Sequence, residues 1–122
     1  MNPEVIILNG VVLFLFLVLF IISFLFYKYP PKKINDLYGY RTYQSMQNQE
    51  NWDFANAISS KFMLKSTILS FILALIFQNT ISIFIDYKIL IILGIYIIPV
   101  ILVIPYTEYH LNKFNKTKEE NY

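Results

Sequence analysis

The sequence predicts an all-α integral membrane protein: three transmembrane helices, with a motif-bearing cytoplasmic connection between helices one and two. Three observations predict it. Of the 122 residues, 57% are hydrophobic and only 15% charged, against about 45–50% and about 25% in an average soluble domain. Mean hydropathy is +0.51. The apolar residues gather into three segments of spanning length, more than a soluble core of this size could hide.

The same arithmetic excludes several functions. There is no cysteine, a single histidine (His110) and three glycines (Gly10, Gly39, Gly94). Thiol chemistry, metal clusters, histidine-based triads and glycine-rich phosphate loops therefore lack their parts. A net charge of +2 is too small to indicate direct nucleic-acid binding. No catalytic residue, metal or cofactor is expected.

The chain reads as one membrane domain, 1–122, with spans at about 5–27, 57–79 and 89–109. The first, Val5 to Tyr27, is broken by little except Asn9, Gly10 and Ser23 and measures about 34 Å at roughly 1.5 Å per residue. Glu4 precedes it without Lys or Arg, and no small-residue cleavage site follows. It reads as a retained helix and not a signal peptide. The second holds Lys61, Lys65, Ser66, Thr67 and Ser70, so its purely apolar part is too short to span; the helix is expected to begin near Asp53, with both lysines snorkelling. Ser59, Met63, Ser66 and Ser70 form a stripe suited to close helix–helix contact. The third contains Pro99 and Pro105, tolerable where neighbours satisfy the freed carbonyls. A short link, 78–88, joins the last two spans. The polar tail, 110–122, is expected to fray.

Three spans put region 28–65 and the tail on one side. Nine of the ten basic residues fall there, and only Lys88 lies opposite. By the positive-inside rule the N-terminus is outside and the C-terminus cytoplasmic.

Region 28–61 differs from its surroundings. Pro30-Pro31 must stop the first helix. Asn35, Asp36 and Gly39 form turns, and Gly39 between two tyrosines marks a left-handed or closely packed position. Ser45 or Asn48 can cap the following helix, with Glu50 in its first turn. Asn48, Trp52, Asn56 and Ser59 or Ser60 then share a face.

Pro31-x-x-x-Asn35, Tyr38-Gly39-Tyr40-Arg41-Thr42, Ser45, Trp52 and Ala55-Asn56 together resemble the signature of the SdpI family, bacterial membrane proteins named for an immunity protein against a secreted toxin. The resemblance covers the three-span unit; the founding member carries further spans ahead of it. It implies a location in the bacterial cytoplasmic membrane, a role in self-protection and membrane recruitment of a repressor-type protein. Candidate partners are thus the bilayer, a peptide toxin, a cytoplasmic repressor and a second copy of the chain. The alternatives are a small carrier or lipid-binding protein, built on Ser66, Ser70, Glu108 and the lysine pair, and a membrane enzyme acting on a lipid-linked substrate.

The candidate site comprises Asn35, Tyr38, Gly39, Tyr40, Arg41, Thr42, Ser45, Trp52, Asn56 and Glu108. Arg41 offers a planar fork for a carboxylate or phosphate; Asp36, Asp53 and Glu108 are its internal candidates, a ligand the external one. Trp52 is expected as an interfacial anchor or binding platform. Asn56 is expected to hold a backbone group of the 38–42 turn. Tyr38 and Tyr40 should pack with their hydroxyls wet, and His110 should sit at the interface.

The orientation is testable by cysteine labelling. Single cysteines at Gln47 and Thr117 should resist a membrane-impermeant reagent in intact cells, whereas one at Asn79 should label. Labelling at Gln47 in intact cells would reverse the topology.

Overall fold

The computed structural model describes residues 2–121, and among these the regular structure is entirely helical. Helix α1 spans Pro3–Lys28, α2 Gln49–Thr80 and α3 Ile85–Glu119. All three are long and apolar enough to cross a membrane. At about 1.5 Å per residue, α2 and α3 measure roughly 48 and 52 Å, well beyond a hydrocarbon core of about 30 Å.

Their ends follow local chemistry. Asn2 caps α1 through the Glu4 amide, Pro3 occupies the first turn, and Pro30-Pro31 follows the cap at Tyr29. Asn48, not Ser45, caps α2, its side chain accepting from the Asn51 amide. The predicted link 78–88 shrinks to residues 81–84, because helix continues to Thr80 and resumes at Ile85.

The tail is also ordered as helix to Glu119, contrary to the frayed end expected. Leu111 and Phe114, three residues apart in a polar stretch, give this extension an apolar stripe. Leu111 is fully buried, Phe114 stacks on Phe54 of α2 at 4.2 Å, and Lys118 pairs with Glu50.

Helix α2 is the middle element. It packs along both α1 and α3, which scarcely touch each other. Away from the α1–α2 connection, Leu8 and Val12 of α1, Ala74 of α2, and Ile92 and Tyr96 of α3 form the buried core. Polar ties reinforce that end. Tyr96 donates to the Val12 carbonyl at 3.1 Å, and Gln78 donates to Asn9. Lys88, the lone basic residue there, donates to the Gln78 carbonyl in the last turn of α2 at 3.2 Å.

One bond explains how α3 carries a proline in mid-helix. Pro99 has no N–H for the carbonyl four residues back, Ile95. The hydroxyl of Ser70, buried on α2, donates to that oxygen at 2.9 Å. The small-residue stripe thus makes its interhelical contact at Ser70, as expected, whereas Ser59 and Ser66 bond within α2.

A double-mutant cycle tests this pairing. Ser70→Ala should cost about 0.5–1.5 kcal/mol, and less in a Pro99→Ala background, where the restored N–H satisfies Ile95. Ser70→Leu should cost more through overpacking, about 1–3 kcal/mol; Ile72→Leu, on an exposed face, should be mild. Unfolding in mixed micelles reads all of these. A Ser70→Ala penalty unchanged by Pro99→Ala would refute the pairing.

Candidate functional site

The twenty residues between α1 and α2 contain no helix or strand, so their backbone groups must find other partners. Side chains supply them. Asn35 builds the first turn: its Oδ1 accepts from the Leu37 and Tyr38 amides, both at 2.9 Å, and its Nδ2 donates to the Lys33 carbonyl. Tyr38 rests on Phe26 of α1, ring centres 5.9 Å apart, with nearly half its surface exposed.

Gly39 follows at φ +108°, a region that other residues rarely occupy. A methyl group here would also lie 2.7 Å from both Asn56 Oδ1 and Pro31 Cγ. Both readings of this glycine hold: the backbone is turned, and it is crowded.

That turn presents the backbone of Tyr40 to α2. The Tyr40 amide donates to Asn56 Oδ1 at 2.7 Å, and Asn56 Nδ2 donates to the Trp52 carbonyl at 2.9 Å, with the Tyr40 carbonyl 3.5 Å away. Asn56 therefore holds the turn as expected. Trp52 departs from expectation. It is neither an interfacial anchor nor a platform but is completely buried, its Nε1 donating to the Pro31 carbonyl at 2.8 Å. Its ring lies beneath Gly39, 3.4 Å from where an added methyl would sit, an ordinary contact; the crowding at Gly39 comes from Asn56 and Pro31.

Beyond Tyr40 the chain closes on itself and on α3. Ser45, buried, accepts from the Thr42 amide at 2.8 Å and lies 3.1 Å from the Tyr40 and Thr42 carbonyls; Thr42 Oγ1 accepts from the Ser45 amide at 3.2 Å. Glu108 of α3 then takes two donors on a single oxygen, the Tyr40 hydroxyl at 2.8 Å and the Thr42 hydroxyl at 2.7 Å. Burial, then the hydrogen bond to Glu108 and its negative charge, push the Tyr40 phenol well above its ordinary pKa. It remains a proton donor through the physiological range, and this favourable linkage weakens only as strongly alkaline pH strips the proton.

Arg41 is the exception among these residues. Its guanidinium donates to the Asp36 carbonyl, the side chain is exposed, and among the described residues it forms no ion pair with Asp36, Asp53 or Glu108. Asp53 is engaged by Gln49 instead. His110, half-buried, packs against Tyr106 and Tyr109. Sequence reasoning overlooked Gln44, which bonds Asn112 of α3 at 2.7 Å and receives Asn51 Nδ2 on its carbonyl at 3.1 Å; the amide-rich run 44–51 was the available signal. Against α1, α2 and α3 under Gly39 and Tyr40 lies a cavity of about 350 Å³ lined chiefly by apolar side chains.

Fold and site together define a multi-pass helical membrane protein whose polar residues are concentrated in one clasped connection between spans. A family model described as the SdpI/YfhL protein family matches residues 32–107, and the chain belongs to that family. The matched range contains every candidate residue of the connection and stops one short of Glu108. The curated protein YfhL of Bacillus subtilis (strain 168), described as uncharacterized, is 50% identical over 38 residues, which cover 31% of this chain and 34% of the relative. The aligned stretch thus spans about a third of that relative's length. No solved structure matches the chain.

Gly39 provides the sharpest test of the clasp. Gly39→Ala should destabilise by at least about 2 kcal/mol, since backbone strain of roughly 1–3 kcal/mol adds to two close contacts. Gly10→Ala, in α1 with nothing near its added methyl, should be neutral or slightly stabilising. Equal thermal stability of the two variants in detergent would contradict this account.

Proposed function

We propose that the chain is a non-enzymatic, immunity-type protein of a bacterial cytoplasmic membrane, protecting its cell from a secreted toxin, recruiting a regulatory protein, or both. In this reading the N-terminus lies outside, and the 28–61 connection and the C-terminus face the cytoplasm, as the nine-to-one distribution of basic residues favours. Family membership supports the assignment. The observation that carries the binding role is the contrast within the motif. Asn35, Tyr40, Thr42, Ser45, Trp52 and Asn56 have their polar groups engaged internally, while Arg41 stands exposed with one carbonyl contact. The clasp is the mount, and Arg41 is what it presents.

Arginine suits this position because its donors form a rigid planar fork, able to take two acceptors of a carboxylate or phosphate together. A lysine retains the charge and loses the fork.

Expression in a toxin-sensitive strain, with survival and membrane protein level scored together, tests the proposal. Wild type should protect. Arg41→Ala should abolish protection at normal protein level, and Arg41→Lys should lose most of it. Glu108→Gln, which weakens the clasp, should act by lowering protein level, and its effect on stability should add to that of Arg41→Ala, because the two groups do not pair. Full protection by Arg41→Lys would remove the fork from the mechanism, and no protection by wild type would remove immunity.

A further inference from the structure

A second basic feature lies apart from the motif, on the outer side of the α2–α3 contact. Lys61 and Lys65 stand one turn apart on α2 and are both exposed. With Ser66 of α2 and Tyr106 of α3 they line a cavity of about 300 Å³ floored by Phe62 and Leu69. Tyr106 is held in place from both sides, stacked on Phe62 at 4.4 Å and touching His110 at 4.6 Å.

Depth makes these lysines unusual. Asn56 is level with the connection, since it bonds Tyr40. Lys61 and Lys65 lie five and nine residues further along α2, about 7 and 13 Å toward the opposite end at 1.5 Å per residue. Apolar residues surround them: Ile58, Phe62, Leu64, Ile68 and Leu69. Among the described residues the only ion pair is Lys118 with Glu50, so neither ammonium is neutralised within the protein. Nor does the protein have an acid to spare nearby, since Glu108 is engaged by Tyr40 and Thr42. Cations on an outward face at this depth are costly unless an anion meets them. The surrounding medium can supply one: the phosphate of a lipid reaches the interface while its chains need an apolar wall.

We propose that Lys61, Lys65, Ser66 and Tyr106 form a binding site for the phosphodiester headgroup of an anionic phospholipid, with its upper acyl chain lying on Phe62 and Leu69. The two ammonium groups bracket the phosphate from one helix. The Ser66 hydroxyl, turned onto the Met63 carbonyl of its own helix at 3.1 Å, can rotate toward the cavity, and Tyr106 closes the site from α3. Ser70, by contrast, is committed to the Ile95 carbonyl and takes no part. The inference is independent of Arg41 and of toxin immunity.

Native mass spectrometry of the full chain, released from mixed micelles of phosphatidylglycerol and phosphatidylcholine, tests the site. Wild type should retain phosphatidylglycerol in preference to phosphatidylcholine. Lys61→Gln/Lys65→Gln should reduce that retention roughly thirty-fold, as two lysines at about 1 kcal/mol each imply. Lys113→Gln/Lys116→Gln, which removes equal charge from the polar end of α3, should leave it nearly unchanged. Ser66→Leu fills the cavity and keeps both charges, so it should also lose selectivity; it decides the matter if the lysine double variant loses its helical circular dichroism. Added inorganic phosphate should not displace the lipid. Unchanged retention in both cavity variants, an equal loss in Lys113→Gln/Lys116→Gln, or displacement by inorganic phosphate would each overturn the proposal.

Discussion

The hydrogen bond from the Tyr40 amide to Asn56 Oδ1 fixes the rest of the connection. It joins a backbone group in an irregular segment to a side chain on a long helix, sixteen residues away. It exists because Gly39 turns the chain through φ +108° and brings it into van der Waals range of Asn56 and Trp52. Once Tyr40 is held, its hydroxyl reaches Glu108, Thr42 follows to the same oxygen, and Ser45 closes the loop behind them. A polar segment with no repeating structure is thereby held in one arrangement by side-chain hydrogen bonds.

The same economy separates mount from display. Polar atoms near a membrane are expensive when unpaired, so residues with internal partners serve the architecture first. Trp52 belongs wholly to that group: buried and bonded to Pro31. Arg41 and the Lys61–Lys65 pair are different. Their side chains are exposed and form no ion pair among the described residues; in the readings proposed above, other molecules supply the balancing contacts.

The three helices were legible because apolar runs of spanning length have few alternatives, and the Asn56 contact followed from the cost of an unpaired amide near lipid. Family membership was legible in the residues between Pro31 and Asn56. The burial of Trp52 was not, because tryptophan serves equally in interfaces and cores, and only the opposing Gly39–Pro31 surface decides between them. The helical tail was hidden by composition: Leu111 and Phe114 are two apolar residues among lysines and asparagines, too few for a strong periodic signal yet enough to pack on Phe54. The partner of Glu108 was missed for a related reason. Matching charge with charge pointed to Arg41, whereas two neutral hydroxyls already satisfy the carboxylate at lower desolvation cost.

The order in which the ribosome releases these parts has a consequence of its own. Helix α1 is complete at Lys28, but the helix it packs along begins only at Gln49. The residues that close the connection emerge later still: Asn56 in early α2, and Glu108 near the end of α3. Until position 108 leaves the exit tunnel, Tyr40 and Thr42 lack their common acceptor. A chain stalled after its second span can already hold Tyr40 on Asn56 and Trp52 on Pro31, yet the segment around Arg41 still lacks its anchorage to α3 through Glu108 and Asn112. Newly made copies acquire the finished surface only once α3 has been made.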